Sequence, residues 1–528
     1  MIRLNLRLNR TMIIWWSLGL WTFLAVTPPA YLQYYPTLAD RGPLVDGMRD
    51  NMGTRAMYGF FPPPGTIGQF TTWETGAWTC VLAAVMGVLL ITAMHRGAEL
   101  RGEAELLQST GIPRSRILSA ALVTSLLIAV LVGVGSTLIL LALRYLSTDE
   151  ITVEGSVTYG IMTTLTMAGF IALTSILQSL WGRNTNLARL GLLSVAVAFL
   201  LRMFADTYDS VFANSLNWIS PLGWRTVIMP FTDDDWVAIA ILTVACAALL
   251  AVALLLDRIR EFNSALIPAS ATRRSRPRRI GGLVGLNLLT SRGATIAWSL
   301  TCGIIIVSIL PLVDSLIPLI EQEDSTLVVI QQLLPEGELQ TEFIVYVFQM
   351  VAVLVAVAVT QPLVGYITDE KSRLIDTVRA VGVPRYAPLL GAVVTALVNA
   401  ISCAALATVG GLIALRIQNG EVEDGDAVVL MAGFSMVLQT FIFVGIATLL
   451  AGWAPRLIQL AWVPVVAAAA VTTLGLILGL SEAQIDLSPL SHTLSATGEN
   501  METLRVFAGL GLIGVFAGLI GTWKREIR

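Results

Sequence analysis

LNLRLNRTMIIWWSL at Leu4–Leu18 returns as LNLLTSRGATIAWSL at Leu286–Leu300, 282 residues further on. Asn5, Arg10, Trp16 and Ser17 match Asn287, Arg292, Trp298 and Ser299. Two more matches follow in the same order. GIPR at Gly111–Arg114 pairs with GVPR at Gly382–Arg385 at offset 271, and SPL at Ser220–Leu222 pairs with SPL at Ser488–Leu490 at offset 268. Three matches in register with slowly shrinking offsets read as a duplication. The larger first offset places an insertion in the first copy, most simply within residues 31–76. The basic-then-apolar start also resembles a signal peptide. A cleavable leader has no reason to be copied deep in a chain, so the segment is read as a membrane span.

The composition explains why each copy belongs in a bilayer. Of 528 residues, 55% are hydrophobic and 13% charged, and the mean hydropathy is +0.76. Soluble domains carry about 25% charged residues, so this chain is neither an ordinary soluble enzyme nor disordered. At a net charge of −3 no basic patch dominates the whole, and the charge deficit speaks against a nucleic-acid binder. Two His (His95, His492) and four Cys in apolar runs without paired spacing predict neither a metal centre nor disulfides.

A span needs about 20 apolar residues. Twelve such runs are predicted. In the first half they fall near 12–30, 77–95, 117–143, 158–181, 188–205 and 237–256. In the second half they fall near 294–313, 343–367, 389–415, 427–452, 458–480 and 506–523. Alternate loops and both termini collect 25 of the 33 Lys and Arg, which makes that side cytoplasmic. The predicted fold is an all-α polytopic membrane protein of about 12 helices in two parallel six-helix repeats. The first half is 1–256, a basic linker 257–285, and the second half 286–528. Parallel repeats place a pathway on an axis along the membrane normal. The linker's ATRRSRPRR at Ala271–Arg279 either binds anionic lipid heads or is a solvated segment that fixes topology.

Two predicted inner loops differ from the rest. HRGAELRGEAELLQSTGIPRSR at His95–Arg116 aligns with TDEKSRLIDTVRAVGVPR at Thr368–Arg385. Each mixes both charge signs with apolar residues at helical spacing: Ala104, Leu107 and Thr110, and Ile375, Val378 and Val381. Glu99 aligns with Glu370, and Glu105 with Asp376. An Arg101–Glu105 pair is expected to support the helix, and Gly111–Pro113 and Gly382–Pro384 to end each. Acids facing the cytoplasm suit a protein partner of complementary charge better than anionic lipid.

No GxxxxGK[ST], HExxH or GxSxG stretch occurs. No catalytic residue or metal ligand is predicted, and the chain has no nucleotide-binding motif of its own. Ionisable groups are nearly absent from the spans, whereas ion-coupled carriers keep them near the midplane. Arg202, Asp206 and Asp314 are expected at outer ends. The midplane offers amides at Gln349, Gln361, Asn399 and Gln439, for substrate contact or for bonding between helices. Trp15, Trp16, Trp298 and Phe348 are aromatic candidates for a substrate cavity, interfacial anchoring or packing.

The His95–Arg116 loop resembles that of ABC-2-type permeases, the membrane subunits of ABC exporters. Arg96, Glu99, Gly102, Glu105, Leu106 and Leu107 carry the resemblance. GTIGQFTTWETG at Gly65–Gly76 and YPTLADRG at Tyr35–Gly42 are similar to stretches of a fused two-half subgroup, the polyketide-antibiotic or tetronasin-type multidrug permeases. The resemblance implies type V exporter-like halves and a coupling helix after span two of each half. It also implies short re-entrant helices within 207–236 and 481–505. On this resemblance, two copies of a separate ABC ATPase, which bind ATP and Mg, are expected to dock on Arg96, Glu99, Gly102, Glu105, Leu107 and Arg114, and on Glu370, Asp376 and Arg385. The cargo implied is a hydrophobic or amphipathic small molecule, an antibiotic, drug or lipid, exported across a bacterial plasma membrane with both termini cytoplasmic. The second half departs from the motif: Arg373 stands where Gly102 aligns, and Thr377–Val378 replaces the Leu pair, which suggests unequal coupling helices.

The alternative is a proton-coupled secondary drug carrier of the major facilitator type, also twelve spans in two parallel halves. YITDEKSR at Tyr366–Arg373 is superficially similar to its loop motif, but the Gly-Arg-Arg core is absent from both copies.

Overall fold

A computed structural model describes residues 1–49, 52–146, 150–181, 187–207, 210–262, 264–267, 282–312, 339–380, 382–417, 424–474, 480–494 and 500–525. Among these there is no strand, and twelve helices are long and apolar enough to cross a membrane. The protein is an all-α polytopic membrane protein. The chain divides into two compact units, Met1–Ser275 and Arg276–Arg528. The linker stretch Ala271–Arg279, Asp314 and Val381 lie outside the described residues.

The first unit holds spans Ile2–Gln33, Ile67–Leu100, Ser115–Leu143, Val153–Trp181, Ala188–Thr207 and Trp236–Ile259. Span one begins ten residues before the predicted start. Leu and Arg are good helix formers, and nothing in IRLNLRLNR breaks the turn. Span two also starts early, and GTIGQFTTWETG explains it. The Thr66 hydroxyl accepts from the Gln69 backbone, and Gln69 Oε1 accepts from Thr66 N at 3.0 Å, a reciprocal cap. A π-helical turn, Thr71–Thr75, then runs straight into Gly76–Met94. Span four lies at the centre of the unit and is rich in Gly, Ser and Thr. Its buried hydroxyls bond mostly to carbonyls of its own helix, as Thr163 does to Tyr159 at 3.0 Å and Ser175 to Ile171 at 2.8 Å. Small side chains let neighbouring backbones approach where lipid supplies no hydrophobic drive.

The second unit holds spans Gly282–Ile309, Gln340–Lys371, Ala387–Ile417, Gly425–Trp453, Pro455–Thr473 and Met501–Lys524. Spans ten and twelve meet glycine to glycine. A Cβ on Gly452 stands 2.1 Å from the Gly518 carbonyl oxygen, so only glycine permits the contact. Span eleven opens as a 3-10 turn, Pro455–Ala461, before the α-helix Trp462–Leu474.

Before the last span of each unit lie short helices: Val211–Ile219 and Trp224–Ile228 in the first, Glu482–Ile485 and the turn Pro489–Ser491 in the second. The two SPL motifs play one part there. Ser220 donates to the Ala198 carbonyl at 3.1 Å, and Ser488 to the Ala468 carbonyl at 3.2 Å. Each ties its segment back to the preceding span.

Candidate functional site

The segment after span two is not one helix but two short ones, Arg96–Leu100 and Glu103–Ser109. Gly102 divides them at φ +74, a left-handed conformation that costs other residues about 1–2 kcal/mol. Gly111 at φ +84 ends the second. The second unit repeats the device. Arg373, also left-handed at φ +60, opens Leu374–Arg379, and Gly382 at φ +84 follows it. The motif's departure at Arg373 keeps the glycine's backbone shape without the glycine.

This break separates buried residues from exposed ones. Ala104 and Ile375 are the buried anchors of the short helices, whereas Glu105, Leu106, Leu374 and Asp376 face outward. Leu107 is half-buried and Arg385 exposed. The expected Arg101–Glu105 pair does not form. Gly102 interrupts the helical register, and Arg101 instead forks onto Glu103 at 2.7 and 3.1 Å.

Glu99 and Arg96 are not the surface charges that the loop pattern suggested. Both are buried, 5% and 1% exposed. Glu99 pairs with Arg96 and accepts from Arg260 Nη2 at 2.6 Å. Arg260 also donates to Asp257 Oδ1 at 2.8 Å, and His95 Nε2 lies 3.3 Å from the same oxygen. The Ser264 carbonyl accepts from Arg96 at 3.2 Å and Arg260 at 3.1 Å. A sealed cluster of two guanidinium and two carboxylate groups therefore joins the foot of the short helices to the end of span six. Burial alone lowers the Arg260 pKa, and the Glu99 and Asp257 carboxylates reverse that, leaving it above the usual value. His95, Glu99 and Asp257 each bring a ligand atom within 4.8 Å of the others, but Arg260 bonds to both carboxylates and occupies the place of a cation.

In the second unit Glu370 accepts from Arg379 at 3.0 Å and also pairs with Arg525. Arg260 and Arg525 are each the residue that ends a 24-residue last span. Sequence reasoning assigned neither a role and counted both only as inner-side charge. Their signal was the shared position directly after the last apolar run, 265 residues apart.

The other candidates do not converge on one site. Trp15 is exposed and Trp16 packs against a core cluster drawn from spans one to four. Phe348 is core, and Trp298 donates to Gln361 Oε1 at 2.9 Å. Asn399 donates to the Ala358 carbonyl at 2.8 Å and accepts from Thr295 at 2.6 Å. Gln349 donates to Ser491 O at 2.8 Å and Gln439 to His492 O at 2.5 Å, so both hold the segment after the second SPL motif. These amides bond between elements of the second unit. Arg114 begins the helix of span three, and its side chain is outside the described part.

A family model described as multidrug efflux system permease Rv1217c, C-terminal domain, matches residues 1–258 and 280–524. The chain belongs to this family. It is also 23% identical to the multidrug efflux system permease protein Rv1217c of Mycobacterium tuberculosis (strain ATCC 25618 / H37Rv), over 98% of this chain and 92% of that one. The protein is thus a multi-pass permease of a multidrug efflux family. Each matched stretch carries six spans.

Proposed function

We propose that this permease is the membrane subunit of an ATP-driven exporter of the ABC-2 type, in the fused two-half subgroup, and extrudes hydrophobic or amphipathic small molecules. Its two halves are parallel type V-like repeats in a bacterial inner membrane with both termini cytoplasmic. Two copies of a separate ABC ATPase bind ATP and Mg and dock on the exposed tips around Glu103–Ser109 and Leu374–Arg379.

The observation that carries the reading is the device common to both units. An exposed tip follows a left-handed break, and the acid at its foot is ion-paired to the arginine ending the last span. Glu105 and Leu106 in one tip, and Leu374 and Asp376 in the other, offer a charged and an apolar contact to a partner. A push on the tip passes through Glu99–Arg260 or Glu370–Arg525 into the last span, as well as along spans two and three of that half. Coupling is unequal, because the first cluster is sealed and its span-ending arginine also holds Asp257, while the second is partly open.

The test is ATP turnover by the partner ATPase, reconstituted with this permease bearing Glu105→Lys and Leu106→Glu. Loss of stimulation with unchanged thermal stability supports docking at the tip. A permease that purifies alone and transports drug on a proton gradient instead points to a secondary carrier.

A further inference from the structure

The permease has a cavity of about 480 Å³ within its first unit, in the size range of small-molecule sites. It is lined by the segments joining spans one to two and five to six, at the opposite end of the spans from the Glu99–Arg260 cluster. Four buried polar side chains lining it have an atom with no hydrogen-bond partner: Arg225 Nε, the Thr72 hydroxyl, Asn217 Oδ1 and Asp206 Oδ2. Each of these residues is at least nine-tenths buried. Unmet buried polar atoms are costly, and a cluster of them around one cavity implies an occupant that bonds to them.

The remaining bonds of these groups orient them. Arg225 is held by the Tyr58 carbonyl and, at 3.4 Å, by the Thr72 carbonyl, both neutral acceptors. Among the described residues no carboxylate bonds to it directly, although its Nη2 and Asp206 Oδ2 both stand 2.8 Å from where a Cβ on Gly59 would lie. The carboxylate on the wall, Asp206, accepts from Asn217 Nδ2 at 2.9 Å and lies 3.7 Å from Arg202. Arg55, whose Nε also lacks a partner, adds a second cation to the lining. Trp73 and Trp218 supply apolar faces.

We infer that this cavity binds an amphiphile whose anionic head is flanked by a hydroxyl. The anion accepts from Arg225 and Thr72, the hydroxyl donates on the side of Asn217 Oδ1 and Asp206 Oδ2, and the apolar body lies against the tryptophans. A lipid headgroup and a free acid-headed compound share this chemistry. The inference is independent of how transport is powered.

Cholate has the required carboxylate, hydroxyls and apolar body, and its methyl ester removes only the charge. Equilibrium dialysis of the full chain in a neutral maltoside detergent, with cholate well below its micelle concentration, measures the site. We expect saturable binding of one cholate per chain, and binding of the ester weaker by about tenfold or more, the worth of a charge-assisted hydrogen bond. Arg225→Gln removes the main contact but also a structural one. Thr72→Val, isosteric at an unbonded hydroxyl, and Arg55→Gln at a half-buried position leave the fold intact, and each is expected to weaken cholate about fivefold. In nanodiscs, competition by phosphatidylglycerol but not phosphatidylcholine identifies a lipid head as the resident. Undiminished binding in both identifies a free amphiphile. No saturable binding, equal binding of acid and ester, or wild-type binding by both Thr72→Val and Arg55→Gln overturns the inference and leaves a water-filled cavity.

Discussion

Replacing Arg260 with Gln should be among the most damaging single changes at the foot of the first tip. Glu99 and Asp257 have side chains 3% and 4% exposed, and Arg260 bonds to both. Without it, two buried carboxylates share Arg96 and His95. Breaking a buried pair by removing one partner costs about 3–5 kcal/mol. For a unit of this size each kcal/mol moves the melting temperature by about 2–4 °C, so the drop should be roughly 6–20 °C. Glu99→Gln alone should cost a comparable amount, because two guanidinium groups are then left to Asp257. The double variant Glu99→Gln with Arg260→Gln restores balance, with Arg96 facing Asp257. It should be more stable than the two losses added together by about 2–3 kcal/mol. The assay is thermal unfolding of the purified chain, followed by intrinsic fluorescence in one detergent across the cycle. If the two losses simply add, within about 0.5 kcal/mol, the cluster is not the coupled unit described and the link from tip to last span loses its basis.

The equivalent change in the second unit, Arg525→Gln, should cost only about 1–2 kcal/mol, because Glu370 keeps Arg379 at 3.0 Å and is partly open to solvent. The same melting assay reads it. At the left-handed breaks, Gly102→Ala should lower stability by about 1 kcal/mol, whereas Arg373→Gly should raise it by up to about 1 kcal/mol. A loss at both positions contradicts the backbone reading. Gly518→Leu sets a Cβ 2.2 Å from the Thr448 carbonyl oxygen and should sharply reduce folded protein, monitored as the monodisperse fraction after extraction. Ser220→Ala and Ser488→Ala should each cost about 1 kcal/mol through the lost bond to span five or eleven. Unequal costs, once cavity effects are matched, count against one shared role for the SPL motifs.

Much of the architecture was legible from residue order alone, because a membrane span announces itself by length and apolarity. All twelve spans were, and the Gly111 position marked the end of the first tip. The span starts were less legible. Residues 2–11 look like a charged flank, yet Leu and Arg continue a helix as readily outside the apolar core as inside it. The charge cluster was hidden for another reason. Glu99 and Arg260 lie 161 residues apart, and no local periodicity links them. An acid in a loop between spans therefore reads as solvent-facing when its partner comes from the end of a distant helix. The Arg101–Glu105 expectation failed locally, since an i,i+4 pair presumes an unbroken helix and Gly102 breaks it. Asn399 and Gln439 show a further limit. An amide within an apolar run has the same sequence signature whether it faces a cargo or a neighbouring carbonyl.

The most direct test of the account is the ATP turnover of the reconstituted permease and partner ATPase, compared between wild type and the Glu105→Lys, Leu106→Glu tip variant. Cargo-stimulated turnover in the wild type, lost in a tip variant that melts at the wild-type temperature, is the predicted result. Turnover and drug export unaffected by the tip variant, or drug export by the permease with no ATPase present, would contradict it.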